Sequence, residues 1–247
     1  PTVDSITVGL IISKIYKIRI ITELRDGLLF EPLEKLNKLQ KFFLKIFESY
    51  MIRNSNKVVT IGKAITENLV DNYGYKEKIV TCYNGYDEND FLGIKNQSET
   101  IHENNFIHLG SIKKSKNRKI DLLINSIEKF VSDPKNQIYN VTFTFLGDLT
   151  KDEIDKITNT GLGKYIKIRN PISKKLALKE AMQYKFCLFY GVPGQKTYIS
   201  SKVFDYIRLG KPILGICSGN ESEQILSDIK NCRVSNFDTD NIVKNIE

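Results

Sequence analysis

Tryptophan is absent from this 247-residue chain, histidine and methionine occur twice each, and no run of eighteen apolar residues occurs anywhere. The missing run excludes an ordinary membrane-spanning helix, which needs about 20 apolar residues. The most apolar stretch, around Ile6 to Ile12, is too short and too mixed. The four cysteines (Cys82, Cys187, Cys217 and Cys232) are scattered, with no C-x-x-C pair, which argues against a disulfide framework or a zinc site. Cys187 and Cys217 lie in apolar runs, where a free thiol behaves as a small hydrophobe, so a reducing, cytoplasmic setting is expected. Neither an initiator methionine nor a signal peptide opens the chain at Pro1, and a fragment or processed product is expected.

What is present is an ordinary globular balance, 41% hydrophobic against 27% charged, which argues against disorder. The net charge of +8 is concentrated after residue 90, with Lys113, Lys114, Lys116, Arg118 and Lys119 in one short stretch. Such a surplus suits an anionic partner, whether phosphate groups, nucleic acid or an acidic membrane surface. The plainer alternative for most of these lysines is a solvated face. Nucleic acid is disfavoured because the basic residues are not interleaved with the aromatics that single-strand binders use for stacking.

Strand and helix patterns alternate almost throughout. Short β-branched runs predict strands at 18–24, 58–61 and 79–82, with a long helix from Pro32 to Arg53 and another from Ala64 to Asn72. After Asn84-Gly85, a turn signal, and a polar stretch to Asn105, strands are predicted at 106–109, 141–146, 165–169, 186–190, 212–216 and 233–234. The helices between them are 120–131, 151–158, 174–184, one from Ser200, and 222–228. This alternation with nearly continuous apolar strands means parallel sheets covered on both faces. Residues 105–247 supply a complete doubly wound domain, 91–104 a linker, and 1–90 only part of a first domain.

In such sheets ligands bind beyond the carboxyl ends of the strands, and three loops of the second domain end there. Ser200-Ser201-Lys202 opens a helix after the small loop Gly191-Val192-Pro193-Gly194. Hydroxyls, backbone N–H groups and a lysine at a helix start suit an anion, but a serine there equally serves as a plain cap. Gly110-Ser111 leads into the basic stretch, where Lys116 and Arg118 are placed to clamp a phosphate and Gly110 permits close backbone approach. Arg169-Asn170-Pro171-Ile172 ends a strand where a flat base has room against Ile172. His108 falls inside a strand and reads as structural.

Ser200-Ser201-Lys202-Val203-Phe204-Asp205-Tyr206, followed by Gly210-Lys211-Pro212, resembles the donor-site segment of family 4 glycosyltransferases of the GT-B fold. His108-Leu109-Gly110-Ser111 is similar to the glycine turn that opens their second domain. Asn84-Gly85-Tyr86-Asp87 with Phe91 resembles their interdomain hinge, and Leu24-Arg25-Asp26 the end of a first-domain strand. The resemblance implies two Rossmann-like domains in GT-B architecture, the first incomplete, and a nucleotide-diphosphate sugar as donor with no cofactor and no metal. It places Asp205 at the second acid of the family's Glu-x7-Glu motif, which holds the donor ribose hydroxyls. The first acid falls on Thr197, a departure at the position that meets the donor sugar. Lys116, Arg118 and Lys202 then balance charge on the leaving diphosphate. The acceptor side offers Asp26 as the acid at a strand end, or Arg25 as a binder of acceptor phosphate.

The implied reaction is retaining sugar transfer to a polysaccharide or lipid-linked acceptor in cell-surface glycan biosynthesis. A nucleotide-sugar epimerase of the same fold and a non-catalytic anion-binding module are the competing readings. Asp238-Thr239-Asp240 superficially matches the D-x-D metal motif of the other large glycosyltransferase fold, but its place after the last strand makes Asp240 an expected helix cap. Lys35, Lys38, Lys41 and Lys45 form a stripe beside Phe42 and Phe43. That pattern fits either a helix lying on the anionic inner face of the plasma membrane or one packed on its own sheet with a solvated back.

Overall fold

The computed structural model describes residues 3–30, 36–94, 102–112 and 120–247, and the chain divides into two compact units. The first comprises Pro1–Asn84 with Gln195–Ile199, the second Gly85–Gly194 with Ser200–Glu247. The hinge-like Asn84-Gly85 pair straddles the division. The turn Glu88–Phe91, where the first domain was expected to end, already belongs to the second unit.

In the first unit, helix α1 (Val3–Tyr16) occupies a stretch in which no helix was expected. Ile6 and Leu10, one turn apart, bury there, so the apolar run is explained by helical packing. Strand β1 (Ile21–Leu24) starts later than the apolar run suggested. Helix α2 (Lys38–Asn54) is capped by Asn37, whose side chain accepts from the Gln40 backbone while the Gln40 side chain accepts in return. This reciprocal cap fixes the start at Lys38, not in the turn after Pro32, which lies outside the described residues. Strand β2 (Lys57–Thr60), helix α3 (Lys63–Tyr73) and strand β3 (Ile79–Thr81) follow. The three strands pair in parallel in the order β1-β2-β3. Leu24, Met51, Ile52, Val58, Ile65 and Ile79 form the core with Ile6 and Leu10.

The second unit contains strand β4 (His102–Leu109), helix α4 (Asp121–Ser132), strand β5 (Thr142–Leu146), helix α5 (Lys151–Asn159), strand β6 (Ile166–Arg169) and helix α6 (Lys174–Ala181). Strand β7 (Tyr184–Tyr190), helix α7 (Ser201–Leu209), strand β8 (Ile213–Ile216), helix α8 (Glu221–Ser227), strand β9 (Cys232–Ser235) and helix α9 (Thr239–Ile246) complete it. Helix α6 stops short of the expected Tyr184, because that residue pairs with His102 and begins β7. All strands are parallel, in the order β6-β5-β4-β7-β8-β9. The chain winds outward from β4 to β6, crosses back, and winds outward again from β7 to β9. The reversal leaves the carboxyl ends of β4 and β7 side by side, the point where doubly wound sheets bind ligands.

The core of this unit carries a stack of aromatics on its strands and mainly aliphatic side chains on the helices α4 and α9 that cover them. Phe106 stacks between Phe143 and Phe186, with ring centroids 5.0 and 4.8 Å away. Ile124, Ile127 and Phe130 of α4 and Ile242 of α9 close over these strands, all within 1% of full burial. Each such side chain contributes about 1.5–3 kcal/mol relative to exposure. On the other side, the Tyr206 hydroxyl of α7 accepts from the Leu109 backbone N–H at 2.8 Å, with Tyr206 fully buried. That bond ties the helix to the last residue of β4. Tyr206→Phe leaves the Leu109 N–H buried without its acceptor, and is expected to lower the unfolding free energy by about 1–3 kcal/mol. A urea titration with unchanged slope and a lower midpoint is the readout.

Candidate functional site

The site follows from two glycines. Gly110, directly after β4, has φ +83°, a left-handed conformation that side chains resist. A Cβ there would fall 2.7 Å from Lys202 Cε and 3.1 Å from its Nζ. The lysine in the first turn of α7 therefore runs back across the bare backbone at the end of β4. Gly147, directly after β5, has no room for a side chain either, because a Cβ would lie 2.4 Å from the Gly110 carbonyl carbon. The Ser111 hydroxyl donates to the Asp148 carbonyl at 3.1 Å, which holds the β4 and β5 loops together. The two loops expected from sequence to meet, the one from Gly110 and the one into α7, do meet at the switch point.

Ser200 is the N-cap of α7, its hydroxyl accepting from Lys202 N at 3.4 Å. The capping alternative is thus realised for Ser200, while Ser201 stands exposed in the first turn. The helix start offers backbone N–H groups, the positive end of its dipole and the Lys202 ammonium on one side of Gly110, which suits an anion. On the far side of the β7 loop, Gly191 leaves space for Asn220 and Cys217. A Cβ at Gly191 would come within 2.9 Å of Asn220 Nδ2 and 3.0 Å of Cys217 Cβ.

Asp205, one turn into α7, is 6% exposed. Lys174 Nζ, from the start of α6, lies 3.1 Å from Asp205 Oδ1 and 2.8 Å from Asp90 Oδ2. The Asp205 contact is an ion pair and not an aligned hydrogen bond, since Oδ1 accepts no well-directed bond. Burial pushes the Asp205 carboxyl above the usual carboxylate range, and Lys174 and Lys202 pull against that shift. Burial also works against the Lys174 charge, but its bonds to Asp90 and Asp205 more than offset this and its pKa rises. Sequence reasoning missed Lys174, Asp90 and Tyr206. The signal for Lys174 was its place in the first turn of the helix after β6, where the crevice rule of parallel sheets points.

The other expected residues fall as follows. Ile172 is 39% exposed in the loop between β6 and α6, and Arg169 at the end of β6 pairs with Glu180. Lys116 and Arg118 lie outside the described residues. Thr197 is buried and belongs with Gln195–Ile199 to the first unit. Asp26 is exposed just beyond β1, and Arg25 pairs with Glu23 at 3.3 Å on the surface. His108 is buried with Nδ1 3.0 Å from the Leu188 carbonyl oxygen, inside the sheet. Burial raises the Cys187 and Cys217 thiols to about 12, where they are unreactive.

One expectation is corrected. The cap of α9 is Asp238, which accepts from Asn241 N at 2.8 Å. Asp240 lies in the first turn and pairs with Lys129. The residue three positions before the receiving N–H does the capping, so the D-x-D pair has separate structural tasks. Among the described residues no group of three or more His, Cys, Asp or Glu side chains gathers as a metal site would require.

The Gly110–Lys202 contact is testable by a double-mutant cycle. Gly110→Ala is expected to cost about 1–3 kcal/mol of unfolding free energy from its backbone conformation alone, with a further loss from the clash with Lys202. In a Lys202→Ala background the clash component disappears, so the two urea-derived costs differ; equal costs would show that the end of Lys202 is not held against Gly110.

No protein-family model matches the chain, and no curated protein matches it. Solved structures do. HepE of Anabaena in complex with UDP superposes with a TM-score of 0.72 at 16% identity, over 99% of this chain and 66% of that one. Sucrose-phosphate synthase from Thermosynechococcus elongatus gives 0.67 at 12% identity, over 98% and 61%. TarM gives 0.64 at 14% identity, over 93% and 43%. The chain spans less than two thirds of the length of these proteins. The parallel α/β architecture expected from sequence is the one found, and it is that of the GT-B glycosyltransferases.

Proposed function

We propose that the second unit binds the nucleotide-diphosphate part of a sugar donor, and that the protein it belongs to transfers that sugar to a glycan or lipid-linked acceptor. The observation that carries this reading is Lys202 lying across Gly110 at the switch point. It gives an ammonium, a helix start and a side-chain-free backbone on one small surface, the combination a diphosphate requires. HepE, solved with UDP and with UDP-glucose, supports a nucleotide ligand on this fold.

In the reaction, the bond between the sugar anomeric carbon and the diphosphate oxygen breaks, and the acceptor hydroxyl oxygen bonds to that carbon as its proton passes to the Asp26 carboxylate. The departing diphosphate gains charge as the bond lengthens. Lys202 and the α7 N-terminus stabilise that charge, joined in this proposal by Lys116 and Arg118, so that the role needs no metal. Asp205 accepts from the donor ribose hydroxyls, Ile172 packs against the base, and Gly110 and Ser111 let the phosphates approach the backbone. Thr197 takes the motif position at which the family has a carboxylate for the donor sugar. Ser200 and Ser201 present the helix start, and Asp26 serves the acceptor hydroxyl. Attack from the face the diphosphate leaves gives retention.

The membrane part of the proposal rests on α2. Leu39, Phe43, Ile46 and Tyr50 recur at helical spacing, and all are roughly half exposed or more. They lie opposite buried Met51 and Ile52, while exposed Lys38, Lys41 and Lys45 form a separate stripe well over a quarter turn away from them. An apolar outer stripe on a helix that also carries lysines supports contact with an anionic bilayer surface, and in this proposal the protein works at the cytoplasmic face of the plasma membrane. No helix among the described residues is long and apolar enough to cross a membrane.

Calorimetric titration with UDP, GDP and ADP and their sugar conjugates tests the donor site. At least one should bind, and Lys202→Ala and Asp205→Ala should each weaken it about tenfold or more; undiminished affinity in both sinks the assignment. For the surface, co-sedimentation with vesicles rich in phosphatidylglycerol should exceed that with phosphatidylcholine alone, and Lys38, Lys41 and Lys45 changed together to glutamate should abolish the difference. Equal sedimentation of the unaltered chain with both vesicles would remove the membrane proposal and leave the donor site standing.

A further inference from the structure

A nearly buried carboxylate needs a reason to be charged, and the second unit supplies one from a different part of the chain. Asp205 reaches α7 through the sequence motif, but the cation beside it, Lys174, comes from α6, and the second carboxylate on that cation, Asp90, comes from the turn Glu88–Phe91. Lys174 is about half exposed, whereas the Asp205 side chain is almost fully buried. The ammonium therefore covers a carboxylate that cannot reach bulk water by itself.

From this geometry we infer that Lys174 is a positioning residue, which fixes the Asp205 carboxylate in the orientation and charge state that recognise the ribose hydroxyls of the nucleotide. The inference rests on the donor reading above. Lys174 does not itself touch the ligand in this scheme. Its contact with Oδ1, itself a buried oxygen, is a charge contact, so it neutralises the carboxylate from one side and leaves the ribose hydroxyls to the other carboxylate oxygen, Oδ2. Asp90 holds the same ammonium at 2.8 Å, so Lys174 is shared between two carboxylates and its position beside Asp205 is fixed from a second element.

A purely structural ion pair would make a different demand. It would tie α6 to α7 and affect folding, but would be indifferent to which sugar the nucleotide carries. The charged groups acting on Asp205 are Lys174 and Lys202, which favour its ionised form, and Asp90, which disfavours it; Tyr206 next to it stays neutral because burial raises its pKa well above the ordinary value. Loss of Lys174 therefore moves the Asp205 carboxyl further upward. The acceptor function of a carboxylate is present above its pKa and fades as the pH falls through it, so the fade moves to higher pH when Lys174 is removed.

The test is calorimetric binding of UDP, GDP and ADP, each beside its 2′-deoxy counterpart, between pH 5 and pH 8. It uses the full chain and the variants Lys174→Met, Lys174→Arg and Asp205→Asn, with thermal melts to establish folding. The unaltered chain should prefer the ribonucleotide over the deoxynucleotide by about tenfold, and Asp205→Asn should erase that preference. Lys174→Met should reduce it and make the remaining ribonucleotide affinity fall off at higher pH than in the unaltered chain, while Lys174→Arg restores most of both. If no nucleotide binds the unaltered chain, the donor reading itself fails and Lys174 loses its role with it. If nucleotide binds and Asp205→Asn erases the preference, but Lys174→Met matches the unaltered chain in preference and pH profile, Lys174 alone is overturned. Should Lys174→Met not fold, Lys174→Arg decides: a loss of ribose preference equal to that of Asp205→Asn in a folded protein, with no shift of the pH profile, overturns the inference.

Discussion

The second unit is organised by a close approach of backbones that two glycines permit. Gly147 lets the end of β5 lie against the Gly110 peptide, and Gly110 lets Lys202 lie across the end of β4. A Cβ at Gly147 would drive the two backbones apart, whereas one at Gly110 would displace the flexible end of Lys202. The Tyr206–Leu109 hydrogen bond then locks α7 at that distance, and the Ser200 cap fixes where the helix begins. The position of the ammonium, and with it any anion it holds, is thus a consequence of backbone packing in the sheet. Under the proposed donor reading, this is preorganisation that costs nothing when charge develops on the departing diphosphate.

The strand-and-helix order of the second unit was legible because it rests on periodicity, which survives without tertiary information. The strand neighbours were not spelled out by any local pattern, and parallel pairing with right-handed crossovers narrows the possible orders without choosing among them. What failed to show in the sequence was decided by partners distant along the chain. The shortened α6 is an example. Tyr184 continues the helical pattern well enough, but pairing with His102 takes it into β7. Helix α1 was missed for a related reason, since most of its apolar residues remain exposed and an apolar run without amphipathic contrast carries little signal. The shift from Asp240 to Asp238 as the α9 cap is a one-turn matter of which carboxylate faces Asn241 N, and element ends are where pattern reasoning has least to work with.

The candidate site divides along the same line. Gly110, Ser200 and Lys202 were readable because each lies at a strand end or helix start that topology alone brings to the crevice. Asp205 was readable only through resemblance to a motif, and its environment was not readable at all. Lys174 and Asp90 are separated from it by long stretches of sequence, and no spacing rule relates an acid on one helix to a cation on another. The structure also changes what Asp205 means. Taken as a motif position it is an acceptor of ribose hydroxyls in the manner of a solvated carboxylate. As a side chain only 6% exposed, it carries a desolvation cost that favours its neutral form, and a neutral acid would offer the ribose a poorer acceptor. The ion pair with Lys174 is what reconciles burial with an ionised carboxylate. A buried acid, its covering lysine and the second acid that steadies the lysine therefore form one electrostatic unit, and the ribose recognition proposed for α7 rests on all three.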